Sequence, residues 1–354
     1  MLQSLTCTTR LSGIASVKEG QNEILIDDKT ISVNLPAIGA PVRGLLVADP
    51  CISSQYGSCE IGNLFQLNVN LPKLFDAILT KSDVDYYGIL GDNFYDKDGD
   101  VTNSFFNAMS NEAKSKYFFS VNGNHDMWIG GNPRDIEEND SLGYGYIQYY
   151  SQDVVSTLNN DQLFDFSVNP DSTDDLSPAA NYFHYSVLGN TGFITFSGSH
   201  SYGDTEDYFD EACDYMSAQA VDHVLLFGHW NNVGDGDFNT YTPRVFKLLQ
   251  RNDKCESIKN KLKYYVGHWH CNQVLDDKVG FMIGACGKSS EEYACSMNEG
   301  EWGITIGEST KDSHNVYYFP IQNKGGLDNY QALLDCINTR GGISNCYEFA
   351  TKWN

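Results

Sequence analysis

Six short apolar runs along the chain have the composition of buried β-strands. They are "RGLLVAD" (43–49), "DYYGILGD" (85–92), "KYFFSVNGN" (116–124), "FITFSGS" (193–199), "DHVLLFGH" (222–229) and "KYYVGH" (263–268). Several of these runs end in glycine, aspartate, asparagine or histidine. A short apolar run bounded by turn-forming residues is typical of a strand buried on both faces.

The segments between these runs predict helices. Residues 71–81 carry apolar side chains at the spacing of one helical face, and residues 103–116 and 242–253 predict a second and a third helix. Strands that alternate with helices indicate an α/β layered sheet, in which functional side chains gather beyond the strand ends.

A single domain accounts best for this pattern. We assign residues 1–325 to it, with a core at about 40–290, and expect residues 326–354 to form a C-terminal tail packed on the domain. The acidic stretch 132–180 is rich in loop-forming residues. We interpret it as an insertion over one rim, because core strands resume after it.

The charge balance excludes some classes of partner. The chain of 354 residues carries 47 acidic and 23 basic residues, a formal net charge of −24. Such a surface repels phosphate backbones and anionic membranes, which argues against nucleic-acid binding. The sequence contains no apolar run of about 18 residues, so we expect no membrane insertion.

Cysteine usage points to an oxidising compartment. Ten cysteines are scattered without a C-x-x-C pair. The pairs at the shortest separations are Cys51 and Cys59, Cys286 and Cys295, and Cys336 and Cys346. These pairs suit disulfides, and the alternative is buried, reduced cysteines that pack as small apolar side chains.

The expected location is extracellular or the lumen of an endomembrane compartment, and a sequon at Asn139 is a weak indication of a glycoprotein. The first residues have no convincing apolar core of a signal peptide. Either the chain is already trimmed or the protein is not exported.

Metal-binding types of side chain follow five of the six runs. They are Asp49, Asp92 with Tyr95, Asn124 with His125, His229, and His268 with His270. Two metal ions about 3.5–4 Å apart polarise a phosphate and generate hydroxide from water, and a bridging carboxylate offsets their repulsion. Oxygen and imidazole ligands suit Fe, Mn and Zn. If His268 and His270 lie in a strand, period-two alternation turns both imidazoles to the same side.

Four motifs carry a family resemblance. "GDNFY", "GNHD", "FGHW" and "GHWH" resemble the motif series of the calcineurin-like metallophosphoesterases. Tyr95 narrows the resemblance to the purple acid phosphatases of the tartrate-resistant type. The likeness spans residues 43–287 and implies a two-sheet α/β sandwich flanked by helices, with a dimetal site at the strand ends.

The resemblance also implies a role for each ligand residue. By this resemblance the ligands of a ferric ion would be Asp49, Asp92, Tyr95 and His270. The ligands of a divalent ion (Fe, Zn or Mn) are Asp92, Asn124, His229 and His268, so that Asp92 bridges. Asp92 and His125 are the catalytic residues, with His125 beside the phosphate and its leaving group. The expected substrate contacts are Asn124, His125, His229 and His200, although His200 is more often a satisfied loop residue.

The implied activity is acid phosphatase: metal-bound hydroxide attacks the phosphorus of a small phosphate monoester. One alternative is a phosphodiesterase or nucleotide pyrophosphatase with the same metals. A second alternative is a secreted binding or structural protein that keeps the fold and has lost turnover.

The first motif departs from the family, because Asp49 is followed by Pro50 and Cys51. Cys51 could be a thiolate ligand, a free thiol or half of a disulfide with Cys59, and we favour the disulfide. Trp230 and Trp269 each follow a proposed histidine ligand, and we expect both to pack in the core.

Overall fold

The computed structural model describes residues 17–26, 29–53, 59, 66–127, 143–150, 179–219, 221–231, 240–287, 302–321 and 328–354. Within these ranges the chain forms two six-stranded sheets and a separate two-stranded hairpin. Among the described helices, none has both the length and the apolar character needed to cross a membrane.

The strands are short and most of the central ones are buried. They are β1 (Gly20–Ile26), β2 (Lys29–Leu35), β3 (Val42–Val47), β4 (Tyr86–Leu90), β5 (Tyr117–Val121), β6 (His184–Leu188), β7 (Thr191–Thr195), β8 (His223–Phe227), β9 (Leu262–Val266), β10 (Asn272–Asp276), β11 (Gly280–Ile283), β12 (Gly303–Ser309), β13 (His314–Pro320) and β14 (Thr351–Lys352). The first sheet has the order β14–β13–β12–β3–β4–β5, and the second has the order β10–β11–β9–β8–β7–β6. Strands β3, β4 and β5 are parallel, as are β7, β8, β9 and β11, whereas the remaining pairings are antiparallel.

Helices cover the outer faces of the two sheets. The α-helices in the described part of the chain are α1 (Leu67–Lys81), α2 (Asp100–Asn107), α3 (Asn111–Lys114), α4 (Tyr144–Tyr150), α5 (Tyr202–Ala218), α6 (Thr242–Leu249) and α7 (Asp328–Arg340). Helices α1 and α7 pack against each other over the first sheet, whereas α5 and α6 cover the second.

Alternation along the strands sorts the apolar side chains into three layers. In β8, Leu225 and Phe227 point into the layer between the sheets, and Val224 and Leu226 point to the helices on the outside. The layer between the sheets is rich in aromatic rings, among them Phe193. Each fully buried side chain of this size contributes about 1.5–3 kcal/mol to folding. The predicted two-sheet α/β sandwich flanked by helices is confirmed.

Several local predictions need correction. The helix predicted at 103–116 is two helices, because the chain turns at Ala108 and Ser110 caps α3 by accepting a hydrogen bond from the Ala113 N–H at 3.1 Å. The helix predicted at 242–253 ends at Leu249. The interpretation of 132–180 as loop falls mostly outside the described residues, as does Asn139, but α4 lies inside this stretch.

Two of the three expected disulfides form. Cys51–Cys59 and Cys336–Cys346 are bonded, and Cys286 is instead a free, buried thiol, so the expected pair Cys286–Cys295 is wrong. A further disulfide, Cys213–Cys255, joins α5 to the turn after α6 across a sequence separation of 42. Its separation gave no hint of the pairing.

Candidate metal centre

The carboxyl ends of the parallel strands bring the proposed ligands together at one rim of the sandwich. Asp49 follows β3, Asp92 follows β4 and His229 follows β8. Strands β3 and β4 are neighbours in one sheet and β8 lies in the other. Because parallel strands end at the same edge, residues distant in sequence meet there.

These three residues form the centre of the cluster. One ligand atom from each lies within 4.8 Å of the others, and all three side chains are buried. His229 Nε2 is 3.4 Å from Asp92 Oδ1 and 4.0 Å from Asp49 Oδ1. The His229 Nδ1–H donates to the Leu90 carbonyl oxygen at 2.8 Å, which turns Nε2 toward the carboxylates.

Tyr95 and His270 lie on the Asp49 side of this centre. The Tyr95 hydroxyl oxygen is 3.4 Å from Asp49 Oδ1 and 3.1 Å from His270 Nε2. His270 Nε2 is also 3.8 Å from Asp49 Oδ1. The buried disulfide Cys51–Cys59 packs against Tyr95, which answers the question raised by the unusual residues after Asp49. Cys51 is neither a free thiol nor a thiolate.

Asn124 and His268 lie near His229. His268 Nδ1 donates to Asn124 Oδ1 at 3.0 Å, and the centroids of the His268 and His229 rings are 5.2 Å apart. His268 lies beyond the end of β9 with a φ of 70°, so strand alternation does not set its direction. The expected strand geometry is wrong, yet His268 and His270 both reach the cluster.

Backbone N–H groups hold one oxygen of each carboxylate. The His125 N–H donates to Asp92 Oδ1 at 2.8 Å, and the His268 N–H donates to Asp49 Oδ2 at 2.9 Å. The His125 ring lies 4.8 Å from the Tyr95 ring, between centroids, and is partly exposed. Each carboxylate is therefore fixed by the loop that also carries a proposed functional histidine.

The backbone around the cluster is strained. The described residues other than glycine that have a positive φ are Asp49, Gln66, Asp92, Phe94, Tyr95, His268 and Lys278. Four of these seven, Asp49, Asp92, Tyr95 and His268, are proposed ligands. Left-handed conformations cost such residues free energy, of order 1 kcal/mol or more, and they concentrate where the surrounding structure enforces them.

Two features of the site were not identified from the sequence. A Cβ at Gly123 would lie 2.2 Å from Asp92 Oδ1, and a Cβ at Gly267 would lie 2.6 Å from Asp49 Oδ2, so both glycines make room for a carboxylate. Asp126 accepts hydrogen bonds from the Gly123 N–H at 2.6 Å and from the Asn93 N–H and amide at 2.8 and 2.9 Å. It therefore ties two of the motifs together. The only signal was that these residues lie inside the motifs.

The charges of the cluster shift its pKa values strongly. Burial acts to raise the pKa of Asp92, but the neighbouring His229 and His125 outweigh burial and hold it well below its usual value. Burial acts to lower the pKa of His229, but Asp92 and Asp49 raise it to about 9. Burial and the same carboxylates raise the pKa of Tyr95 well above its usual value. A cation among these groups would reverse the shift of the Tyr95 phenol by stabilising its phenolate.

Of the remaining residues singled out in the sequence, Trp230 contacts proposed ligands. His200 is buried and its ring is 5.3 Å from the Tyr182 ring. Trp230 is buried against the His229 ring, with centroids 5.2 Å apart, and Trp269 packs against the outer core of the second sheet. Trp230 therefore lies in the core, as expected, whereas Trp269 is partly buried at the edge of the core.

The donor set fits a pair of hard or borderline metal ions. Two buried carboxylates, a phenol, an amide and three imidazoles converge, and no cysteine among the described residues joins them as a free thiol. Asp92 Oδ2 and His229 Nε2 are buried and make no hydrogen bond. Buried polar atoms are rarely left without a partner, and coordination of a cation would satisfy both.

Comparisons with known proteins match structures and not sequences. No family model and no curated protein matches the chain. Similar solved structures include GAP50, the anchor in the inner membrane complex of Plasmodium (13% identity, TM-score 0.47, covering 82% of this chain and 87% of that one). They also include PhoD (11% identity, TM-score 0.45, covering 84% of this chain and 70% of that one). A third is YfkN from Bacillus subtilis (10% identity, TM-score 0.35, covering 85% of this chain and 98% of that one). YfkN is a calcineurin-like phosphoesterase, the superfamily that the motifs of this chain resemble, and the purple acid phosphatase type remains a prediction.

Proposed function

We propose that the protein is a dimetal phosphoesterase that hydrolyses small phosphate monoesters. The observation that carries the proposal is the buried cluster of Asp49, Asp92 and His229, in which Asp92 Oδ2 and His229 Nε2 have no hydrogen-bond partner. What singles these two atoms out is their place beside a second buried carboxylate, where their lone pairs could be shared with a cation.

Two groups of residues would hold the two ions, with Asp92 shared between them. Asp49, Tyr95 and His270 contact one another, Asn124 contacts His268, and His229 contacts Asp92. Two metal ions supply Lewis-acid stabilisation of the phosphate charge and make water a stronger nucleophile. Asp92 offsets the repulsion between the ions, and its fixed Oδ1 keeps its second oxygen aimed at the cluster.

His125 is the proposed acid for the leaving group. Its backbone N–H donates a hydrogen bond to Asp92 Oδ1, which fixes the residue at the cluster, and His125 stays partly exposed. A ring in that position donates a hydrogen bond or proton to the departing ester oxygen. His200 is a further proposed substrate contact.

The first ion is proposed to be ferric. A phenolate is a hard, anionic ligand, and Tyr95 is held between Asp49 and His270 by packing against a disulfide. The disulfides Cys51–Cys59, Cys213–Cys255 and Cys336–Cys346 also support residence in an oxidising compartment, extracellular or luminal.

The deciding experiment combines metal analysis with turnover of aryl phosphate mono- and diesters by the full chain. Two metal ions per chain and faster turnover of the monoester are expected. Preference for the diester would favour a phosphodiesterase, and two ions without turnover would favour a binding or structural protein.

Tyr95→Phe should abolish the visible phenolate-to-iron absorption without unfolding the protein, whereas a colourless wild type would overturn the ferric assignment.

A further inference from the structure

Trp230 contacts two of the proposed ligands at once. The centroid of its indole is 5.2 Å from that of the His229 ring at an interplanar angle of 87°, and 6.4 Å from that of the His268 ring at 36°. The two imidazoles are themselves 5.2 Å apart at 81°. The three rings therefore form one packed group, in which the indole limits how either imidazole can tilt.

Backbone of a neighbouring segment lies close against the indole. A Cβ at Gly198 would lie 2.4 Å from Trp230 Cε3 and 3.1 Å from its Cδ2, so the backbone after β7 lies directly against the ring. The Thr242 N–H donates to the Trp230 carbonyl oxygen at 2.9 Å. Only 3% of Trp230 is exposed, which excludes a role as a stacking surface for substrate.

We infer that Trp230 is a positioning residue that holds His229 and His268 in the orientation the second metal ion requires. The inference rests on the proposed function, because it needs a metal ion at these two histidines. Residues that orient metal ligands typically change metal affinity about 10–100-fold when they are replaced. Gly198 contributes to the same positioning, because the absence of a side chain there lets the indole pack directly against its backbone.

The test is titration of the metal-free full chain with Zn²⁺. Wild type should bind two ions. Trp230→Phe should bind the ion at His229 and His268 about 10–100-fold more weakly. The ion at Tyr95, followed by the ultraviolet difference absorbance of the phenolate, should bind as in wild type. Trp302→Phe is the matched control, because Trp302 is equally buried in the outer core of the first sheet. Trp302→Phe should bind both ions as wild type does, even if the substitution lowers the thermal stability of the protein.

A second variant perturbs the indole without replacing it. Gly198→Ala should weaken binding of the same ion, because the new Cβ would overlap Trp230 Cε3 at 2.4 Å and the Thr240 carbonyl oxygen at 2.6 Å, so the indole must shift. Trp230→Phe that binds both ions like wild type, or loses both to the same extent, would overturn the positioning role. A wild type that binds no Zn²⁺ would instead overturn the proposed function and the inference with it.

Discussion

Replacing Gly123 by alanine tests the metal centre without removing any ligand. Gly123 has φ −109° and ψ −176°, an extended conformation open to any residue, so the consequence of the substitution is steric and not conformational. Its new Cβ would lie 2.2 Å from Asp92 Oδ1, 2.5 Å from the Asp92 backbone nitrogen and 2.8 Å from His229 Nε2. Ordinary contact begins at 3.4 Å, so the Asp92 oxygen must move by about 1.2 Å.

A displacement of about 1 Å in a reacting group typically costs about 10²-fold in rate. We therefore expect kcat/KM for an aryl phosphate to fall about 10²-fold or more, equivalent to about 2.7 kcal/mol of transition-state stabilisation. Bound metal should fall as well, and overpacking should cost about 1–3 kcal/mol of stability in urea unfolding.

The control is Gly203→Ala near the start of α5, where the nearest atom to the new Cβ is Ser201 Oγ at 3.7 Å. This variant should keep full activity and gain about 0.5–1 kcal/mol of stability, because alanine is the better helix former. Wild-type activity and metal content in Gly123→Ala would refute the placement of Asp92 at the metals.

Three further predictions concern the carboxylates, the proposed acid and the folded state. Asp92→Asn should deplete both metal ions and Asp49→Asn only the one at Tyr95; equal losses in elemental analysis would remove the bridging role. His125→Ala should slow an alkyl phosphate about 10²–10⁴-fold and an aryl phosphate much less, because only the alkoxide needs a proton to depart. A uniform loss with depleted metal would make His125 structural. Burial lowers the pKa of His184 from 6.5 to about 4, so below pH 6.5 the unfolded chain binds a proton that the folded chain does not. Stability should therefore be full above pH 6.5 and fall by up to about 3 kcal/mol as the pH drops through 4, and His184→Asn should flatten this slope in urea unfolding.

The sequence predicted the centre of each sheet because central parallel strands are buried on both faces. Such strands appear as continuous apolar runs, as in β3, β4 and β8. The antiparallel pair β12–β13 escaped prediction, although it completes the first sheet beside β3. Helix α5 also escaped, because its buried side chains alternate with many acidic ones and give little contrast.

The candidate site followed from short motifs because each motif sits at one strand end. What the motifs could not convey was how the segments fit against each other. The left-handed backbone of His268, the disulfide that supports Tyr95 and the brace formed by Asp126 depend on contacts between distant segments. Residue spacing within one motif carries no record of such contacts.

Residues that meet at the candidate metal centre are far apart in the sequence, and this separation affects folding during synthesis on the ribosome. The hydrogen bond from His268 to Asp49 joins residues 219 positions apart. At about 5–20 residues per second, His268 leaves the ribosome on the order of 10–40 s after Asp49. Strand β12, which pairs with β3, emerges later still. During this interval Asp49 and the edge of β3 that pairs with β12 lack their partners, so a nascent chain is exposed to aggregation and to binding of stray cations. The full set of proposed ligands therefore exists only after His270 has been synthesised.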